Sequence, residues 1–490
     1  MRNVFAGLLM GCALVGCGAS STAVPAGGAV SPASSPKTTE AKSAEVAAAP
    51  EVTLGHGDGE VGRKAHTGPW IGAAGASDFV LPGMQETQLG VWVDVPEEVR
   101  RAKAPAAVSL VVDTSGSMSG EKMASARAAA RAFIERLPDG DIVSLASFAD
   151  TAEERLPPTL LSAASRPGVL STIEGLEPTG GTNMFDGLRL GEGRAVTAPQ
   201  THSVRRVILI SDGQANVGPS SPDVLGALAQ RGADRGVQVT ALGVGADYDE
   251  RTLNALAVNS SGRMHHIGDP RKLAAMLEQE MRLLQATAAT DAFVEIVPAP
   301  GVQILGVDGV RADWASGGAM RVPLGVMFGG QHREMLVRVR MTAPAEGSHA
   351  LASVRLHFRD PVEGNLERVQ EVVARYQVTG DAKQVASSQH ARTQTIAAVM
   401  DAGKAAVDAA QQVNAGDFDA AEKKLAQAEA KLRETATRAR SKDEQQRAIA
   451  AASTMAQQRS AARAAAAKPA PARRMDALEM NSAGMKAMGF

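Results

Sequence analysis

The sequence predicts an α/β protein: a doubly wound, mostly parallel sheet, followed by a β-sandwich module and a C-terminal α-helical hairpin region. Three observations predict it. Over residues 105–285, apolar runs of strand length alternate with stretches of helical spacing, the mark of successive βαβ units. Over 286–380 the pattern changes to short alternating runs broken by Gly, Pro and Asp, as in half-buried antiparallel strands. Over 381–467, Ala, Gln, Glu, Lys and Arg dominate, all good helix formers. With 44% hydrophobic residues in a chain of 490, a sizeable core is available, and the length allows roughly three or four domains.

The first seventeen residues read as a targeting segment. Met1-Arg2-Asn3 is a short positive start, and Val4 to Val15 is an almost wholly apolar run of twelve. A membrane span needs about twenty such residues, so the run fits a signal peptide. Its end, Leu14-Val15-Gly16-Cys17, resembles the bacterial lipobox. That resemblance implies a diacylated Cys17 at the mature N terminus and a chain anchored to a membrane. Residues 18–75 are rich in Ala, Ser, Pro and Gly, too poor in apolar surface to order themselves, and are expected to be a disordered tether. Cys12 and Cys17 are the chain's two cysteines, so beyond residue 17 no disulfide and no thiolate metal site can form. A net charge of −2 leaves no field to attract nucleic acid, and 3% aromatics are too few for stacking on single strands. No nucleic-acid partner is expected.

Residues 76–104 contain a strand-like run, Glu86 to Val95, expected to be able to pair into the later β module. The α/β region starts with the apolar strand Val108 to Val112. Gly120 to Leu137 then places Met123, Arg127, Ala130, Phe133, Ile134 and Leu137 largely at helical spacing, and Pro138-Asp139-Gly140 ends it. Further strands are expected at 142–148, 207–210, 237–244 and 264–267, with helices at 223–235, 250–258 and 271–285. Ligands of such sheets bind beyond the carboxyl ends of the strands, where strand order reverses. Three loops lie there. One reads Asp113-Thr114-Ser115-Gly116-Ser117, a D-x-S-x-S directly after a buried strand. The second is Gly180-Gly181-Thr182-Asn183, opening a helix. The third is Ser211-Asp212-Gly213, again after an apolar strand.

Together the three loops resemble the metal-ion-dependent adhesion site of von Willebrand factor type A domains, a Rossmann-like fold. Asp139-Gly140-Asp141, Leu242 to Gly245 and Gly262 to Asp269 also look like that family, so the resemblance covers about residues 105–285. It implies that Ser115, Ser117 and Thr182 are direct ligands of a divalent ion, and that Asp113 and Asp212 orient its waters through charge-assisted hydrogen bonds. Magnesium suits this set, wanting six hard oxygens in near-octahedral geometry; manganese or calcium are the other candidates. With few direct carboxylates the ion stays electron-poor, and one open position can take an Asp or Glu of a protein partner.

Other motifs carry less. Ser119-Gly120-Glu121-Lys122 fits S-x-x-K, but no S-D-N or K-T-G follows, and it reads as the start of a helix. His265-His266 are adjacent in a strand, where side chains point to opposite faces and cannot chelate together. No H-E-x-x-H, G-x-S-x-G or G-x-x-x-x-G-K-[ST] occurs, so neither catalytic nor cofactor-binding residues nor a small-molecule substrate are expected. After the β module, 393–413 and 418–440 read as two helices separated by Asn414-Ala415-Gly416-Asp417, and 468–490 as a flexible tail. The sequence thus points to a non-enzymatic, lipid-anchored protein of a bacterial cell envelope that binds a partner's acidic residue through magnesium. Two alternatives stand beside it: a metal-independent envelope scaffold, and an accessory subunit of a chelatase or ATPase-type assembly.

Overall fold

The computed structural model describes residues 69–97 and 104–490. The signal peptide, Cys17 and most of the tether lie outside the described residues. The range expected as tether extends too far at its end, because Ile71–Gly75 forms strand β1. Five residues suffice here because they pair antiparallel with a longer strand, and Trp70 at the entry stacks on Phe358 at 4.7 Å. Two further strands follow, β2 (Phe79–Val80) and β3 (Gly83–Asp94).

The α/β domain runs through β4 (Ala106–Asp113), α1 (Glu121–Arg136), β5 (Ile142–Phe148), β6 (Ala152–Leu160), α2 (Arg166–Glu174), α3 (Met184–Val196), β7 (Val204–Ser211), α4 (Pro222–Ala233), β8 (Val237–Val244), α5 (Glu250–Asn259), β9 (Arg263–Ile267) and α6 (Leu273–Gln285). The sheet order is β6-β5-β4-β7-β8-β9, parallel except for β6, which runs antiparallel to β5. Every residue of β4 is buried, and its side chains alternate between two cores. Leu110 and Val112 pack with Phe133 and Ile134 of α1 and Leu277 of α6, whereas Val111 packs with Leu188 of α3, Leu225 of α4 and Leu253 of α5. Helices on both faces explain why the central strands read as continuous apolar runs rather than alternating ones. The chain leaves β4 for β5 on one side and later returns to β7 on the other. The switch point therefore lies between the carboxyl ends of β4 and β7.

Beyond α6 come β10 (Thr287–Pro298), β11 (Val302–Asp308), β12 (Asp313–Trp314), β13 (Met320–Phe328), β14 (His332–Ala343), β15 (Gly347–Asp360) and β16 (Leu366–Val378). They form two sheets, β1-β3-β14-β11 and β12-β13-β10-β15-β16-β2. Val91, Val93, Val337 and Val339 of the first share one core with Val294, Ile296, Val354 and Leu356 of the second. Strand β3 pairs with β14 along its whole length, from Gly83 opposite Ala343 to Asp94 opposite His332. The α/β domain is thus inserted in sequence between two strands of this module.

Five helices complete the chain: α7 (Ala382–Ser387), α8 (Ala391–Ala415), α9 (Phe418–Arg438), α10 (Lys442–Ala465) and α11 (Ala470–Ala487). Gly416, with φ of 83°, closes α8 in the left-handed conformation, and the Asp417 carboxylate caps α9 by accepting from the Ala420 amide at 3.2 Å. α8 docks on the first sheet, where Arg392 makes a two-pronged contact with Asp94 at 2.7 Å for each bond. The flexible tail expected at 468–490 is corrected: residues 470–487 are helix α11, and Ala477, Leu478, Met480 and Met485 are buried. The reason is its two-sided packing. Leu478 enters the core of the α/β domain while Ala477 and Met480 enter that of the helices, so no single apolar stripe marks the sequence.

Candidate metal centre

All five residues expected to hold a metal come together at the switch point. β4 ends on Asp113, fully buried, whose Oδ1 accepts from the Ser115 amide at 2.8 Å and whose Oδ2 accepts from the Ser211 hydroxyl at 2.6 Å. The turn that follows brings the Ser115 and Ser117 hydroxyls within 3.0 Å of each other. Ser117 donates to Asp212 Oδ1 at 2.8 Å, tying the first loop to the third. Thr182 is buried in the second loop, its amide bonded to Asn216 Oδ1 at 2.8 Å. Burial pushes the Asp113 carboxyl up to about 6; the Ser115 and Ser211 hydrogen bonds oppose this, and the Asp212 charge adds to it.

A direct test of whether this set suits a hard cation is the space above Gly213. A methyl group built there would lie 3.4 Å from Thr182 Oγ1, 3.5 Å from Ser117 Oγ and 3.9 Å from Asp113 Oδ2. Oxygens from the first two loops therefore face one small cradle, and the glycine of the third leaves it open. Neutral hydroxyls plus two carboxylates suit magnesium, which takes oxygen donors and keeps waters. Among the described residues no group of three or more His, Cys, Asp and Glu side chains could hold an ion.

The second loop is positioned by residues the sequence reading passed over. Asp150 accepts from the Gly181 amide at 2.8 Å, and a Cβ on Gly180, which has a φ of 65°, would meet Asp150 Oδ2 at 2.4 Å. The Gly116 amide bonds the Gly180 carbonyl at 3.1 Å, joining the first two loops. Asn216 and Asp150 lie outside the recognisable motifs, and no local pattern marks them. Lys122, read only as part of a helix start, also points at the site: its ammonium bonds Asp212 Oδ2, with Asp247 3.8 Å away. His265 and His266 separate as expected of neighbours in a strand, the first bonding Glu280 at 3.1 Å and the second Tyr248 at 2.8 Å. Cys17 lies outside the described residues.

A doubly wound α/β domain with hydroxyl and carboxylate loops gathered at its switch point has the architecture of an A-type domain. Residues 108–214 match the model of the von Willebrand factor type A domain, and the chain carries a domain of that type. Such domains mediate protein–protein interactions. The chain is 25% identical over 291 residues to an uncharacterized protein of Synechocystis sp., an alignment covering 57% of this chain and 67% of that one. It is 26% identical over 277 residues to inter-alpha-trypsin inhibitor heavy chain H4 of Bos taurus, covering 53% of this chain and 30% of the other. Among solved structures, a von Willebrand factor type A protein from Catenulispora acidiphila superposes with a TM-score of 0.69 over 85% of this chain and 96% of its own, at 19% identity, which is a likeness of fold.

Proposed function

We propose that this chain is a non-enzymatic, lipid-anchored envelope protein that binds a partner protein through a divalent cation held by Ser115, Ser117, Thr182, Asp113 and Asp212. One observation carries the reading: three oxygens from the first two loops, Asp113 Oδ2, Ser117 Oγ and Thr182 Oγ1, gather around Gly213 of the third. The hydroxyls of Ser115, Ser117 and Thr182 would hold magnesium, and the two aspartates would bring the negative charge that draws it in. When bound, the ion would supply a Lewis-acidic position for an Asp or Glu of the partner. Ser117 is the exposed member of the set and marks the side from which a partner enters. On this reading the sheets β1-β3-β14-β11 and β12-β13-β10-β15-β16-β2 act as a β-sandwich that displays the A domain, and Cys17 and its tether fix the protein to its membrane.

Cross-linking in cells tests the proposal. Partner capture should occur with wild type and disappear both with Asp113→Ala and when EDTA is present. Equal capture by wild type and Asp113→Ala would overturn it. A metal-independent scaffold is the second reading, and a specific contact favours it: Lys122 already offers Asp212 a positive charge.

A further inference from the structure

The contact that favours the rival reading also suggests how the two readings relate. Asp212 is fully buried, and an isolated carboxylate there is strongly disfavoured unless paired. Its two oxygens are spoken for by two donors, Ser117 on Oδ1 and the Lys122 ammonium on Oδ2. Lys122 sits in the first turn of α1, directly after the loop that carries Ser115 and Ser117, so its ammonium can reach the carboxylate while its side chain stays 24% exposed. A second carboxylate stands ready to receive it. Asp247, 78% exposed in the loop between β8 and α5, lies 3.8 Å from the ammonium. The aliphatic end of Lys122 runs along Gly245 at the start of that loop, where an added Cβ would lie 3.5 Å from Cε.

The loop bearing Asp247 is itself held from outside the domain. Arg474 of α11 donates to the Ala246 carbonyl at 3.2 Å and to the Tyr248 carbonyl at 2.8 Å, and forms an ion pair with Glu250. Asp247 lies between the two bonded carbonyls, so the last helix of the chain fixes the place where the displaced ammonium can go.

We infer that Lys122 is a tethered competing cation: it neutralises Asp212 while the site is metal-free, and a divalent cation must displace it toward Asp247 before Asp212 can serve the metal. The inference rests on the proposed metal site. Two positive charges cannot both stay against Asp212 without repelling each other, and the more highly charged ion gains more from the carboxylate. The arrangement makes metal binding a two-state exchange, with α11 setting the position of the alternative partner.

Magnesium titration of the intact chain by calorimetry, wild type against Lys122→Met, tests it. The variant should bind magnesium roughly tenfold or more tightly, within the range in which one bound group ordinarily changes the affinity for another. It should also melt lower than wild type in EDTA, because Asp212 has lost its counter-charge. Affinity equal to or weaker than that of wild type would overturn the inference while leaving the metal site standing. Absence of magnesium binding by both chains would overturn the metal site and the inference with it. A second measurement needs no variant: acylation of Lys122 by an amine-reactive reagent, followed by mass spectrometry. Lys122 should react faster in magnesium than in EDTA, and this difference should vanish in Asp113→Ala. Equal reactivity of the wild-type lysine in the two buffers would overturn the inference.

Discussion

At the scale of single residues, Gly213 separates the needs of folding from those of binding. A methyl group there meets its nearest neighbours at 3.4 and 3.5 Å, close to ordinary contact, so Gly213→Ala should fold. The same methyl fills the cradle between Thr182, Ser117 and Asp113. Calorimetric melting should therefore show little change in EDTA, within about 1 kcal/mol, and a reduced gain on adding magnesium. Glu192 offers a test away from the site. It lies in α3 against Gly232, is 1% exposed, and neither carboxylate oxygen has a hydrogen-bond partner. Burial pushes its carboxyl from 4.5 up to about 8, against the pull of Arg235 and Arg231. The folded protein thus holds this proton more tightly than the unfolded chain does. The stability linked to it is present below the ordinary value and is lost as pH rises through about 8. Urea unfolding between about pH 6 and 9 should show that decline in wild type, and Glu192→Gln should flatten it. The motif residues Asp113, Ser115 and Ser117 were legible because a short loop after an apolar strand fixes them locally. Asn216, Asp150 and Lys122 were not, since each acts on a loop or side chain 30 or more positions away, as with the Lys122–Asp212 pair at a separation of 90.

At the scale of elements, legibility followed how many faces an element buries and against what. The strand expected at 237–244 is β8 with those bounds, because a strand covered on both faces is apolar throughout. The break at 414–417 was legible because Gly416 and Asp417 have stop and cap chemistry. Strand β6 was not: it contains Glu153, Glu154, Arg155 and two prolines, the composition of an edge strand rather than a core one. Helix α11 was missed because its buried residues serve two different cores. Its fit against α8 depends on one close approach. A Cβ on Gly484 would lie 2.6 Å from the Gly403 carbonyl oxygen, which belongs to the backbone of α8 and cannot turn aside. Gly484→Ala should therefore push α11 from α8 and cost about 1–3 kcal/mol, measured by urea unfolding, with faster hydrogen exchange confined first to residues 470–487. A neutral effect would mean that α11 is not packed as described.

At the scale of the whole molecule, the α/β domain is inserted into a two-sheet module and clasped by helices from the far end of the chain. Arg474 ties that clasp to residues 246–250, the stretch that holds Asp247 beside Lys122. The proposed attachment to a membrane rests on Leu14–Cys17 alone; no helix among the described residues is long and apolar enough to cross one. Cys17→Ser should release the protein from the membrane fraction or leave its precursor unprocessed, because stable anchoring needs two acyl chains or more. Unchanged fractionation and an unchanged mature mass would refute the anchor and leave the metal site untouched. The central claim is that Asp113, Ser115, Ser117, Thr182 and Asp212 form a divalent-cation site, and its most direct test is scanning calorimetry of the intact chain in EDTA and in millimolar magnesium. Magnesium should stabilise wild type by about 2.7 kcal/mol at a hundredfold excess over Kd, and Asp113→Ala should abolish the gain. Identical melting of wild type in the two buffers would contradict the account.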